Sequence, residues 1–221
     1  MTLQDKLDAF KKQFEGKKAP PEVVAIMHKA TNDLIASGQA DRALKVGDRA
    51  PEFALNDPDG RTHRLADLLT EGPLVVTFYR GVWCPYCNMD LQALEAAASG
   101  LRKRGAALVA ISPQTVSNNR KAQRDNTLSF PVLRDPGNQV AAAFGLRFRL
   151  PDDLIAIYKG FGNDLAIAND EASWTLPMPA RYLIGGDGVI VYADVNPDYT
   201  RRPDPDELLP ALARLGIPAA N

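Results

Sequence analysis

A chain of 221 residues, 45% apolar and 24% charged, has ordinary globular composition and enough apolar side chains to fill a core, which sets disordered and fibrous classes aside. The formal net charge is -1 with Lys and Arg scattered, so the basic field that nucleic acid or an anionic membrane requires is missing. No apolar run approaches the roughly 18 residues of a bilayer span, and MTLQDKLDAFKKQFEGKK lacks the apolar stretch of a signal peptide, so a cytoplasmic protein is expected.

Leu3, Leu7, Phe10 and Phe14 recur at spacings of three and four and predict an amphipathic helix ending near Gly16. After Pro20 and Pro21, residues 22–37 repeat the pattern with Val23, Ile26, Met27, Ala30 and Leu34, and Gly38 is a stop. These stripes are expected to dock on the chain's own domain or on a twin subunit, and no chemistry is assigned to them. From Val46 the segment KVGDRAPEFALNDPDGRTHRLADLL reads as a hairpin around DPDG and then a helical turn. PLVVTFY (73–79) has the β-branched and aromatic texture of a strand buried on both faces, and a helix follows through Leu91, Leu94, Ala98 and Leu101.

A second buried strand, AALVAIS (106–112), precedes a polar helix (116–126), the short strand PVLRD and a short helix (139–144). Such alternation predicts parallel strands joined by helical crossovers. Residues 147–178 break the rhythm and are expected to carry a helix covering the active-site face. ARYLIGGDGVIVYADV then reads as a hairpin, and residues 204–215 as a final helix capped by Asp204 and opened by Pro205. The expected organisation is a helical extension (1–45) followed by one α/β domain (46–221).

Chemistry concentrates in GVWCPYC. Cys84 follows a buried strand at the start of a helix, and Pro85 suits the first helical position. Unpaired N–H groups and the helix dipole favour thiolate there, and Arg80 adds charge; moving a thiol from about 8.5 to about 7 needs only ~2 kcal/mol. Cys87, three residues on, has its β-carbon about 5 to 6 Å away, within reach of a local disulfide. Cys84 is therefore assigned as the exposed nucleophile and Cys87 as the shielded resolving thiol. In a reducing compartment a structural disulfide is disfavoured, and zinc would need ligands beyond the cysteines where only His28 and His63 remain, without matching spacing. Neither metal nor cofactor is expected.

The segments VGDRAPEFAL, VVTFYRGVWCPYC, ALVAISPQT, FPVLRDPGNQVAAAFGL and RYLIGGDGVI resemble the peroxiredoxin and alkyl hydroperoxide reductase (thiol-specific antioxidant) family over about residues 46–195. The resemblance implies a thioredoxin-like fold, a central mixed sheet flanked by helices, and reduction of hydrogen peroxide or organic hydroperoxides by a peroxidatic cysteine, here Cys84. It also implies a thioredoxin-like or other dithiol reductant, and base rates favour an isologous homodimer. Where that family carries Pro and Thr or Ser ahead of its cysteine, this chain has Arg80, Gly81, Val82 and Trp83; where it carries an active-site Arg, this chain has Pro179, with Arg181 two positions on. Pro179 falls where thioredoxins keep a cis-proline, and CPYC is similar to a glutaredoxin or thioredoxin centre. Pro179, Arg181, Arg80 and Trp83 are the expected substrate contacts, with Arg181 polarising peroxide or stabilising the Cys84 thiolate. Asp90 is expected to be a solvated charge. Two other readings stay open: a protein-disulfide oxidoreductase using the same cysteines, and a non-catalytic redox sensor whose partner surface is built from the N-terminal helices.

Overall fold

The computed structural model describes residues 1–216; residues 217–221 of the expected second domain lie outside the described residues. Two helices come first, α1 (Leu3–Lys17) and α2 (Pro21–Ala36). Thr2 and Asp5 close a capping box on α1, and Pro21 opens α2 at a position that has no helical N–H to lose. A 3-10 turn (Ala40–Arg42), the hairpin β1 (Ala54–Asn56) and β2 (Thr62–Arg64), and the short α3 (Leu65–Thr70) lead to β3 (Leu74–Phe78) and α4 (Pro85–Arg102). There follow β4 (Ala107–Ser112), α5 (Val116–Asp125), β5 (Val132–Arg134), a 3-10 turn (Pro136–Asn138) and α6 (Gln139–Ala143).

Residues 147–178 hold more structure than the expected helix. The strands β6 (Arg147–Arg149) and β7 (Thr175–Pro177) pair antiparallel and enclose α7 (Asp152–Gly160) and α8 (Leu165–Asn169). The chain continues through β8 (Ala180–Ile184), β9 (Ile190–Val195), a 3-10 turn (Pro205–Leu208) and α9 (Leu209–Arg214). The final helix starts with the expected Asp204 cap but changes from 3-10 to α geometry at Leu209, because Pro210 has no N–H to carry the ladder through.

Seven strands form one sheet in the order β2-β1-β5-β4-β3-β8-β9, with β3, β4 and β5 parallel and the flanking pairs antiparallel, which is a thioredoxin-like mixed sheet. The period of two along β3 divides the core between its faces. Leu74, Val76 and Phe78 pack with Leu65, Ala141 and Phe144, while Val75 and Tyr79 pack with α4, α9 and the Leu3 and Leu7 stripe of α1. A third, smaller cluster of Leu154, Tyr158, Leu165 and Trp174 takes Met27 and Ala30 of α2 and touches Trp83. The N-terminal helices thus dock on this chain. Among the described residues no helix is long and apolar enough to cross a membrane.

Candidate functional site: a buried dithiol under an aromatic cavity

The turn between β3 and α4 is shaped by side chains from elsewhere. Gln114, just past β4, accepts the Val82 N–H at 2.8 Å and donates to the Tyr79 hydroxyl at 3.1 Å, and Asn88 donates to the Val82 carbonyl at 2.8 Å. Gly81 must be glycine: a β-carbon there would overlap the Trp83 indole and stand 3.0 Å from Gln114 Oε1. This turn delivers Cys84 as the N-cap of α4, with Pro85 at its first position, as the sequence predicts.

Both thiols are free, and both are buried, Cys84 at 2% and Cys87 at 0% exposure, so the expected exposed nucleophile is instead covered. The cover comes from the helices to which no chemistry was assigned. A cavity of about 210 Å³ is lined by Cys84, Trp83, Tyr86, Tyr158 and Tyr199 together with Phe10 and Phe14 of α1 and Met27 of α2. Trp83 meets Tyr158, and Tyr86 meets both Phe10 and Tyr199, edge to face at centroid distances of 5.2–5.5 Å.

Arg80 is 2% exposed and forms part of this wall. Its guanidinium carbon lies 4.2 Å from the ring centroid of Tyr199, 4.9 Å from that of Trp83 and 5.5 Å from that of Tyr158, whose hydroxyl it also bonds. Arg80, Tyr158 and Tyr199 also face a second cavity of about 270 Å³ bordered by Leu34, Leu150 and Pro179.

Three expected placements change. Pro179 is trans, since no cis peptide occurs among the described residues; it borders the second cavity and not the Cys84 cavity, and its carbonyl accepts the Asn196 N–H at 3.1 Å. Arg181 does not reach Cys84. It is 1% exposed, donates to the Pro203 carbonyl at 3.0 Å and pairs with Asp90. Asp90, expected in solvent, is 1% exposed and bridges Arg181 to Arg202, whose Nε stands 3.2 Å from Asp90 Oδ2.

Arg202, in the loop between β9 and α9, is the functional residue that sequence reasoning misses. Its Nη2 donates to Cys87 Sγ at 3.4 Å. A loop segment reading Tyr-Thr-Arg-Arg-Pro looks like solvated surface, and no spacing links it to the cysteines. Asp90 did carry a signal. It lies three residues after Cys87 and four before Leu94, on the buried stripe of α4, where a carboxylate demands a partner.

Burial pushes the Cys84 thiol well above its ordinary value, and the hydrogen bond and charge of Cys87 add to that, outweighing Arg80 and Arg202. Burial also acts to raise Cys87, but the hydrogen bond from Cys84 and the charges of Arg202 and Arg80 bring it down to about 6. The two sulfurs titrate as a pair, with the contact between them pushing Cys84 up and drawing Cys87 down. The histidines are occupied elsewhere: His28 meets Glu15 at 2.7 Å and His63 meets Asp57 at 3.0 Å.

A C-x-x-C dithiol opening a helix beside the central strand of this sheet defines a thiol oxidoreductase of the thioredoxin-like fold. Residues 46–193 match the model of the AhpC/TSA family, and the chain belongs to that family. Chloroplastic peroxiredoxin Q of Triticum aestivum is 26% identical over 179 residues, 81% of this chain and 72% of the relative. The thiol-disulfide oxidoreductase ResA of Geobacillus thermodenitrificans is 31% identical over 105 residues, 47% of this chain and 59% of the relative. The crystal structure of peroxidoxin BcpB from Mycobacterium tuberculosis superposes with a TM-score of 0.61 at 24% identity, over 78% of this chain and 97% of that one, a likeness of fold. The chain is a peroxiredoxin-type oxidoreductase.

Proposed function

We propose that the protein is a two-cysteine, thiol-dependent peroxidase acting on hydrogen peroxide or small organic hydroperoxides, with Cys84 attacking and Cys87 resolving. The observation that carries this reading is access. Cys84 lines a cavity of about 210 Å³ walled by aromatic rings, while Cys87 is fully buried and lines none of it. A cavity of that size admits a small peroxide and excludes a folded protein surface.

In the first step Cys84 sulfur attacks one peroxide oxygen and the O–O bond breaks. That oxygen keeps its hydrogen as sulfenic acid on Cys84, and the other oxygen leaves and takes a proton to become water or an alcohol. Arg80, fixed over three rings at the cavity wall, supplies positive charge where the leaving oxygen turns negative. Cys87 sulfur then displaces hydroxide from Cys84: an S–S bond forms, an S–O bond breaks, and hydroxide leaves as water after protonation. Two electrons pass from the dithiol to the peroxide. A dithiol donor of the thioredoxin kind restores both thiols by exchange.

One observation favours the protein-disulfide oxidoreductase reading: the cavity around Cys84 contains no Ser or Thr hydroxyl to orient a peroxide. Stopped-flow tryptophan fluorescence of the reduced protein mixed with hydrogen peroxide separates the two, because Trp83 adjoins Cys84. A fast change, dependent on peroxide concentration and absent in Cys84→Ser, is expected. Oxidation no faster than that of a free thiolate would overturn the peroxidase reading in favour of disulfide exchange.

A further inference from the structure

The loop that carries Arg202 comes from far along the chain, yet its guanidinium is locked as tightly as a core side chain. Nη1 donates to the carbonyls of Tyr199 at 2.8 Å and Arg201 at 2.6 Å, Nε donates to Asp90, and Nη2 is left for Cys87 Sγ. An arginine held on three sides presents its fourth donor in a fixed direction, and that direction is the sulfur.

Charge balance points the same way. Three guanidinium groups, Arg80, Arg181 and Arg202, gather behind the cysteines, and the carboxylates facing them are Asp90 and the partly buried Asp194 opposite Arg181 on β9. One cation is left without a carboxylate, and an uncompensated buried charge is costly. The remaining groups around Cys87 do not supply the anion. The phenols of Tyr79 and Tyr158 are pushed up by burial and stay neutral, and Cys84 keeps its proton for the same reason. The Tyr199 phenol against Arg80 is likewise pushed up by burial and stays neutral, and Cys87 sulfur is, beside Asp90, the titratable group that Arg202 touches.

We infer that Arg202 is a positioning residue that holds Cys87 as a thiolate, so that Cys87 is already ionised when it serves as the resolving nucleophile. The assignment of that step rests on the peroxidase reading above. Cys84-SOH and Cys87-S⁻ give the Cys84–Cys87 disulfide and hydroxide: the S–S bond forms, the S–O bond breaks, and one negative charge stands on each side.

The test uses the full chain and no peroxide, so its outcome is separate from that of the peroxidase experiment. In Cys84→Ser the one remaining thiol is Cys87, and serine keeps a hydroxyl able to donate to it; its titration is read by the ultraviolet absorbance of the thiolate. The expected midpoint lies well below the roughly 8.5 of a free cysteine. Adding Arg202→Met is expected to raise it by about one unit or more, about a tenfold loss of thiolate near neutrality, and Arg202→Lys to restore part of that shift. An unchanged midpoint in a folded Arg202→Met protein overturns the inference. So does a midpoint at or above that of free cysteine in Cys84→Ser alone, whatever Arg202→Met does to folding.

Discussion

The side-chain oxygen of Gln4 accepts the backbone N–H of Arg202 at 3.1 Å, so the first helix fixes the loop whose guanidinium touches Cys87. Two further bonds tie the same seam: the Leu3 N–H reaches Asp204 at 3.2 Å and Gln4 Nε2 reaches the Thr200 carbonyl at 3.4 Å. Gln4→Ala removes the acceptor and leaves a part-buried N–H unpaired, a loss of about 1 kcal/mol. A lowered urea midpoint is expected, with a rise in the titration midpoint of Cys87 as the loop loosens. If stability falls and the thiol does not move, α1 supports the fold without supporting the redox centre.

Cys84→Ser is expected to abolish peroxide turnover. Cys87→Ser is expected to complete one oxidation and stop, with Cys84 retained as sulfenic acid and carried on to sulfinic acid by excess peroxide. Intact-mass spectrometry distinguishes the products. Equal loss of single-turnover activity in both variants would remove the division into attacking and resolving thiols.

Asp90 holds two buried guanidinium groups, and Asp90→Ala leaves both without their shared anion, a destabilisation of about 3–5 kcal/mol for a broken buried pair. Its effect on the thiol runs opposite to its effect on the fold. With Arg202 freed from the carboxylate, Cys87 is expected to become more acidic, whereas Arg202→Met makes it less so. Denaturant unfolding and thiolate titration of the same sample check both signs.

The stability of the reduced protein carries the same signature. Cys87 titrates near 6 in the folded chain against about 8.5 when unfolded, so between those values the unfolded state binds more protons and stability rises with pH. That contribution is complete above about 8.5 and lost as pH falls through 6. Cys84, pushed up by burial, acts in the other sense: its contribution is present below the unfolded value and lost as pH rises through its folded one. Urea unfolding under reducing conditions is expected to show the rise in wild type and not in Cys87→Ser; parallel pH curves would contradict it.

Much of the frame is legible before any coordinates. The run 74–78 is so uniformly β-branched and aromatic that a doubly buried strand is its only economical reading, and Pro85 after Cys84 fixes where the next helix begins. The Gly-Gly-Asp-Gly turn sets the last hairpin, where Gly188 takes a φ of 80°. What is not legible is the content of the site beyond the cysteines. Phe10, Tyr158 and the Tyr199–Arg202 loop come from three separate segments, and each is locally indistinguishable from helix packing or surface loop. Long-range convergence of that kind leaves no periodic trace. Arg181 misled because its position beside the strand end says nothing about which way its long side chain turns, and Asp90 settled that by drawing it away from Cys84.

The separation of 115 residues between Cys87 and Arg202 also sets a timetable. At about 5–20 residues per second a ribosome delivers Arg202 roughly 6 to 23 s after Cys87. Until residue 202 has been made and docked, Cys87 lacks the guanidinium that bonds its sulfur, and a protonated thiol oxidises slowly. On the inference drawn above, the nascent chain passes through that stage with Cys87 unactivated, and the sulfur gains its bonded cation only when the last-made wall of the site closes behind it.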